Sequence, residues 1–376
     1  MSDYVPGLAG VPAAESAICS IDGQKGILKY RGFSAEVLAE HSTFEETAYL
    51  LFFGQLPTRA ELTRFDGDLR RHRRLKYRIL DLLKCLPEGG HPMDALAAAV
   101  AALGMFYPKL QPTDPKDQYE AFVRLMAKLP TVIAAFARMR KGDRDIAPRE
   151  DLPHAANFLY MLSEHEPDPL VERMLDVCLV LHAEHSMNAS TFAARVTGST
   201  LADPYSVVSA AVGTLAGPLH GGANEDVLTM LRKIGGVAEV DAFVERKVQA
   251  KDKISGFGHR EYKVKDPRAK ILQALIAPLF DRFGTTPLYD IARALEAAVE
   301  RRLGAKGVYP NVDYYSGIVY DRMGITSDLF TPIFAMARVA GWLAHWREQL
   351  QHNRIFRPSQ IYVGPDSSDW VPLAQR

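Results

Sequence analysis

Apolar residues recur every three to four positions along most of this chain, the spacing that gathers them on one face of an α-helix. The pattern predicts helices over 93–106, 119–139, 171–182, 205–216, 224–234, 240–249, 268–283, 288–303 and 312–323, and a long one over 333–350. Thr43-Phe44-Glu45-Glu46 and Thr58-Arg59-Ala60-Glu61 both read as capping boxes, in which hydroxyl and carboxylate satisfy the free N–H groups of a helix start reciprocally. Glycine and proline punctuate between helices, as at Gly217-Pro218. Alternating strand patterns are few. Residues 17–22 and 26–30 flank Asp22-Gly23-Gln24-Lys25 and predict one short hairpin, and 361–363 offers a third strand. There is no strand–helix–strand alternation and no internal repeat, so the fold class is mostly α, and a Rossmann-type or barrel fold is disfavoured.

Composition narrows the function classes. The 376 residues carry 45 basic and 45 acidic side chains and are 47% hydrophobic, values of a globular protein. That neutrality argues against a nucleic-acid or membrane-surface partner, which would call for a basic excess. Every apolar stretch is broken by a charge before it could span a bilayer. Met1-Ser2-Asp3-Tyr4 lacks the basic and apolar regions of a signal peptide, so the expected location is cytoplasmic. Cys19, Cys85 and Cys178 fit neither a disulfide framework nor a zinc motif, and Cys178 falls in an apolar helix. The basic run Arg70-Arg71-His72-Arg73-Arg74-Leu75-Lys76 reads as a solvated helix face or junction, since no stacking aromatics accompany it.

Four segments combine chemistry-bearing residues with backbone punctuation. In His182-Ala183-Glu184-His185-Ser186-Met187-Asn188-Ala189-Ser190-Thr191 a helix ends, and Asn188 or Ser190 could cap the next. In Gly217-Pro218-Leu219-His220-Gly221-Gly222-Ala223-Asn224 a histidine precedes a helix start, where the dipole favours neutral imidazole able to donate to an oxyanion. A plain interhelical turn explains this segment equally well. Gly256-Phe257-Gly258-His259-Arg260-Glu261-Tyr262-Lys263-Val264-Lys265-Asp266-Pro267-Arg268 sets a histidine among cations suited to an anionic ligand, and Asp266-Pro267 reads as a cap and first helical residue. Asn311-Val312-Asp313 opens a helix after Tyr309-Pro310, where an aspartate by itself is an ordinary cap.

In this order and spacing the segments resemble the citrate synthases, of the shorter bacterial type. The resemblance runs from Gly7-Leu8-Ala9-Gly10-Val11-Pro12 and Tyr30-Arg31-Gly32 to Arg357-Pro358-Ser359, essentially the whole chain. It implies a two-domain, nearly all-helical enzyme with a short N-terminal hairpin that condenses acetyl-CoA with oxaloacetate and hydrolyses the citryl thioester. The large domain would comprise 1–221 plus 319–376 and the small domain 222–318. Asp313 would remove the methyl proton, His220 would donate to the thioester oxygen, and His259 would serve the oxaloacetate carbonyl. His185, Arg268 and Arg338 would hold the carboxylates, with Arg357 arriving from the other subunit of a homodimer, and a hexamer is conceivable. Lys263, and less so Lys265, would meet the CoA phosphates, a solvated loop being the equal alternative. The resemblance implies no metal and no other cofactor.

Two departures from the family pattern stand out. Glu261 occupies a place usually held by a small aliphatic residue, and Ser186-Met187 replaces a more polar pair. Neither falls on a residue assigned to chemistry. The motifs do not separate a citrate synthase from a 2-methylcitrate synthase using propionyl-CoA, because one methyl group is worth only ~1–3 kcal/mol in an apolar pocket. A non-catalytic helical scaffold is the rival from another class, and intact His220, His259 and Asp313 argue against it.

Overall fold

The computed structural model describes residues 4–376, apart from the side chain of Ala223. It begins with an antiparallel sheet of β1 (Cys19–Asp22), β2 (Ile27–Tyr30) and β3 (Phe33–Ser34), in which Cys19 pairs with Tyr30 and Tyr30 with Phe33. The hairpin is as expected, but its third strand is Phe33–Ser34. Residues 361–363 form no strand. They lie in an exposed extended stretch with no neighbouring strand to supply hydrogen bonds.

Helices carry the rest. The first group is α1 (Ala35–His41), α2 (Phe44–Phe53), α3 (Arg59–His72), α4 (Tyr77–Cys85), α5 (Pro92–Gly104) and α6 (Pro115–Met139). Then come α7 (His154–Ser163), α8 (Pro169–His182), α9 (Ala189–Ser199) and α10 (Pro204–Leu215). A third group is α11 (Ala223–Ile234), α12 (Val240–Ala250), α13 (Pro267–Phe283), α14 (Pro287–Leu303) and α15 (Val312–Arg322), followed by the central α16 (Phe330–Gln351). Six of these start one residue after a cap with proline first, as at Asp114-Pro115, Asp203-Pro204 and Asp266-Pro267. Proline's fixed φ suits that position and its missing N–H costs nothing there.

α16 is apolar all round and buried from Phe330 to Trp346, so it must be enclosed. It packs against α2, α6, α8, α9 and α10. Helices α11 to α15 pack chiefly on one another, while α13 also touches α1 and α8, and α11 touches α16. The close approach of α9 to α16 depends on Gly198, where an added Cβ would meet Trp346 Cδ1 at 2.7 Å.

Two local expectations need revision. The capping box at Thr58 is complete, but Thr43 only accepts from the Glu46 N–H, and no reciprocal bond forms among the described residues. The basic run is the junction of α3 and α4, and it is not solvated throughout. Arg73 is 1% exposed and donates to the carbonyl oxygens of Arg149 and Leu152, while Arg70 pairs with Asp66 and Arg71 with Asp68. The 149–152 loop supplies acceptors for Nη1 alone, and the buried Nε and Nη2 have no hydrogen-bond partner among the described residues. Cys178 is buried, and no helix is long and apolar enough to cross a membrane among the described residues.

Gly198→Ala should therefore lower stability. Overpacking typically costs ~1–3 kcal/mol, more than the few tenths gained from alanine's helix propensity near a helix end. Urea unfolding of the variant should show a net loss of about 1 kcal/mol or more, and an unchanged midpoint would refute this account of the α9–α16 contact.

Candidate active site

The site is assembled around two buried arginines. Arg268 opens α13 at 3% exposure and is held by Asp266, its own helix cap, with Nη2 to Oδ2 at 2.7 Å and Nε to Oδ1 at 3.1 Å. Arg338 lies mid-way along α16 at 1% exposure, donates from Nε to the His182 carbonyl at 2.7 Å, and stacks 4.7 Å from the Phe334 ring centroid. It makes no ion pair among the described residues. Arg338 is thus a buried cation that no ion pair neutralises, which is what a carboxylate ligand needs.

His185 and His259 stand edge to face with ring centroids 5.1 Å apart, and Tyr262 packs against both. The Tyr262 hydroxyl lies 3.1 Å from His185 Nε2. His259 Nδ1 accepts the backbone N–H groups of Glu261 and Tyr262 at 3.0 and 3.3 Å. A ring nitrogen that accepts carries no proton, so the neutral ring holds its proton on Nε2. His220 is fixed the opposite way round: Ser190 N–H donates to its Nε2 at 3.2 Å, leaving the proton on Nδ1. Ser190 is in turn held by Trp342 Nε1 and Asn188. Burial first, and neighbouring arginines second, push both His220 and His259 down to about 4 and hold His185 well below the usual histidine range. All three are neutral donors at physiological pH.

Asp313 is joined to His259 through the backbone. Gly256 and Gly258 take φ of +78° and +83°, which only glycine adopts without strain. Their strand-like segment pairs with residues 309–311: Asn311 N–H donates to Gly256 O, Gly258 N–H to Tyr309 O, and Asn311 Nδ2 to Gly258 O. Asn311 is the cap of α15, and its Oδ1 accepts the Asp313 N–H at 3.1 Å. Asp313 is thus not the cap. Its Oδ1 is shut from water and has no hydrogen-bond partner. Burial raises the carboxyl from 3.8 to about 6, against the opposing pull of Arg268 and Arg338. A carboxylate poised near neutral pH, with an unpartnered oxygen, is suited to take a proton.

The remaining residues are placed less centrally. Lys263 is exposed, and its Nζ donates to the Arg260 carbonyl. Lys265 turns away into an ion pair with Glu296, 2.5 Å distant, and also bonds Gln273. Its charge is met by a buried carboxylate. Arg357 is exposed on the extended stretch after α16 and does not reach the other site residues within one chain. No group of three or more His, Cys, Asp or Glu is arranged to hold a metal among the described residues. Sequence reasoning missed Tyr262, Asp266 and Ser190 as supports. Only the last two carried a signal, as cap positions.

Fold and site together describe an α-helical protein in which a carboxyl group and neutral imidazoles gather beside two buried arginines, an arrangement able to move a proton and to meet an anion. A profile of the citrate synthase C-terminal domain matches residues 7–359. The citrate synthase of Synechocystis sp. is 58% identical over 99% of this chain and 94% of its own, and that of Deinococcus radiodurans 44% over the full length of both. Among solved structures, the Pyrobaculum aerophilum citrate synthase superposes with a TM-score of 0.94 at 43% identity, covering 98% of this chain and 95% of its own. The Thermoplasma acidophilum citrate synthase, in ternary complex with carboxymethyl coenzyme A and oxaloacetate, gives 0.95 at 32% identity over the full length of both. The chain belongs to the citrate synthase family.

The raised carboxyl of Asp313 has a sign that can be checked by unfolding. The folded state holds this proton up to about pH 6 and the unfolded chain releases it near 3.8, so ionisation costs stability as pH rises through that window. Asp313→Asn should melt at a higher temperature than the wild type at pH 8, and the gap should close towards pH 4. A variant less stable at pH 8 would contradict the raised value.

Proposed function

We propose that Asp313, His220 and His259 carry the chemistry and that His185, Arg268 and Arg338 hold the oxaloacetate carboxylates. The chain is a citrate synthase: it condenses acetyl-CoA with oxaloacetate and releases citrate and CoA on hydrolysis of the citryl thioester. The observation that carries the site reading is the unpartnered, buried Oδ1 of Asp313 on a helix start hydrogen-bonded to the His259 loop. Asp313 takes the methyl proton while His220 Nδ1–H meets the thioester oxygen on which negative charge develops. One such donor is typically worth ~3–4 kcal/mol in a water-excluded site. His259 Nε2–H then hydrogen-bonds the oxaloacetate carbonyl and assists its protonation as the carbon–carbon bond forms. The scheme uses no metal and no other cofactor.

Residues 222–318 form the smaller, moving unit in this reading, inserted between 1–221 and 319–376. Helices α11 to α15 packing chiefly on one another supports it. Oxaloacetate binds first, closure brings His259 and Asp313 onto it, and acetyl-CoA binds the closed form. Lys263, exposed beside His259, is the lysine proposed for the CoA phosphates. The working unit is a cytoplasmic homodimer. Support comes from the stretch after α16, largely exposed, with Ile355, Ile361, Tyr362, Val363 and Trp370 uncovered. Arg357 on that stretch serves the second subunit's site.

Asp313→Asn keeps the shape and removes the base. Thiol release from acetyl-CoA with oxaloacetate should fall ~10³-fold while calorimetric oxaloacetate binding survives, and near-normal kcat would reassign Asp313. In the wild type the acid limb of kcat/KM for oxaloacetate, which reports the free enzyme, should follow a single ionisation near pH 6, since His220 and His259 stay neutral to about 4. A limb of slope two would mean a second group.

Subunit sharing is tested by mixing Arg357→Ala with Asp313→Asn under exchange. A mixed dimer has one site with both defects and one with neither, so activity should return. Exchange verified by mass spectrometry with no recovery would sink the shared site.

A further inference from the structure

The N-terminal hairpin has no part in the chemistry above, yet its turn is the surface on which the His259 loop rests. Lys263 donates its backbone N–H to the Gly23 carbonyl at 2.9 Å. A Cβ on Gly23 would lie 2.1 Å from the Glu261 carbonyl oxygen and 2.8 Å from its carbon, well inside contact distance. A Cβ on Gly26 would lie 2.8 Å from Val264 Cγ2 and 3.4 Å from the Lys265 carbonyl. At Gly23 backbone meets backbone, with no side chain between.

The two glycines are needed for different reasons. Gly26 has φ of +65°, so the turn itself calls for glycine. Gly23 is outside the left-handed region, and nothing in the hairpin excludes a side chain there. What excludes it is the 261 carbonyl. The turn is also stiff, because Asp22 Oδ1 accepts the N–H groups of Gln24 and Lys25 at 3.2 and 3.0 Å. The same loop residues that touch the turn orient the catalytic imidazole: Glu261 and Tyr262 supply the two N–H groups on His259 Nδ1. A displacement of the 261 peptide therefore moves His259.

We propose that the turn 22–26 is the seat that fixes the 259–265 loop when the two units close, and that Gly23 is a positioning residue for His259. The proposal rests on the two-unit reading above. The seat lies in 1–221 and the loop in 222–318, so on this proposal closure is what presses the two together. A side chain at 23 obstructs closure without straining the hairpin, and a misplacement of about 1 Å at a catalytic group can cost ~10²-fold.

The test compares Gly23→Ala with Gln24→Ala, its exposed neighbour, and reads three quantities. In the wild type, oxaloacetate with carboxymethyl-CoA should slow hydrogen exchange at the Lys263 amide. In Gly23→Ala that slowing should vanish and kcat fall ~10- to 100-fold. Its ligand-free melting temperature should match the wild type, and Gln24→Ala should behave as wild type throughout. Wild-type kcat or wild-type Lys263 protection in Gly23→Ala would overturn the proposal. So would a loss of ligand-free stability that accompanies the loss of activity, since that marks general damage. Calorimetry of oxaloacetate on the wild type is read separately, so an error in the ligand assignment shows there and an error in the seat shows at the amide.

Discussion

Two guanidinium groups sealed inside a helical protein set the terms for everything around them. Removing a charge from water costs several kcal/mol even after relaxation, and the cost is tolerable only with partners in good geometry. Arg268 has its partner in Asp266, the adjacent helix cap, so local sequence solves its problem. Arg338 has only a carbonyl and an aromatic face. Its remaining charge adds to the burial that holds His182, His185 and His220 neutral, while at His259 burial is joined by Arg268. A bound dicarboxylate would relieve the strain on Arg338 and deepen the site at once. The same charges oppose, but do not overcome, the burial that raises Asp313 to about 6. The buried carboxyl, the neutral imidazoles and the arginines are one electrostatic problem with one solution.

Geometry then follows from backbone more than from side chains. His220 and His259 are oriented in opposite senses by main-chain N–H donors, of Ser190 in one case and of Glu261 and Tyr262 in the other. Main-chain donors cannot rotate away and cannot titrate. The tautomer is therefore set by the course of the chain, and Asp313 is tied to the same frame through the paired segments 256–258 and 309–311. The apolar α16 supplies the rigid wall, with Arg338 and Trp342 on it facing the site from the large unit of the proposed division.

Much of this was legible in the chain. Ten helical windows fall on helices of the structure, and the hairpin lies where its turn chemistry puts it. Helix starts were read late, as at 119 for a helix that begins at Pro115, because apolar periodicity sets in only after the capped, proline-led first turn. The short helices α1, α4 and α7 escaped because two or three turns are too few for periodicity to show, and they form through packing. Long-range pairings were the least visible. Nothing local distinguishes Lys263 from Lys265, and only the fold brings Glu296 to the second. Arg73 reads as one more surface cation until the 149–152 loop is seen to cover it.

Glu261 shows why a departure from a family pattern need not touch function. Its side chain is exposed, while its N–H holds His259 and its carbonyl faces Gly23. Both duties belong to the peptide, which any residue but proline supplies in full, so the side chain is free to vary as far as solvent allows. The opposite holds at position 23, where the peptide neighbours leave no room for even one carbon. In such loops the residue that matters is the one whose side chain would be in the way, and a reading that looks only for reactive groups passes over it. That is the physical reason a glycine far from the chemistry in sequence can govern the placement of a histidine, while a glutamate two residues from that histidine does not.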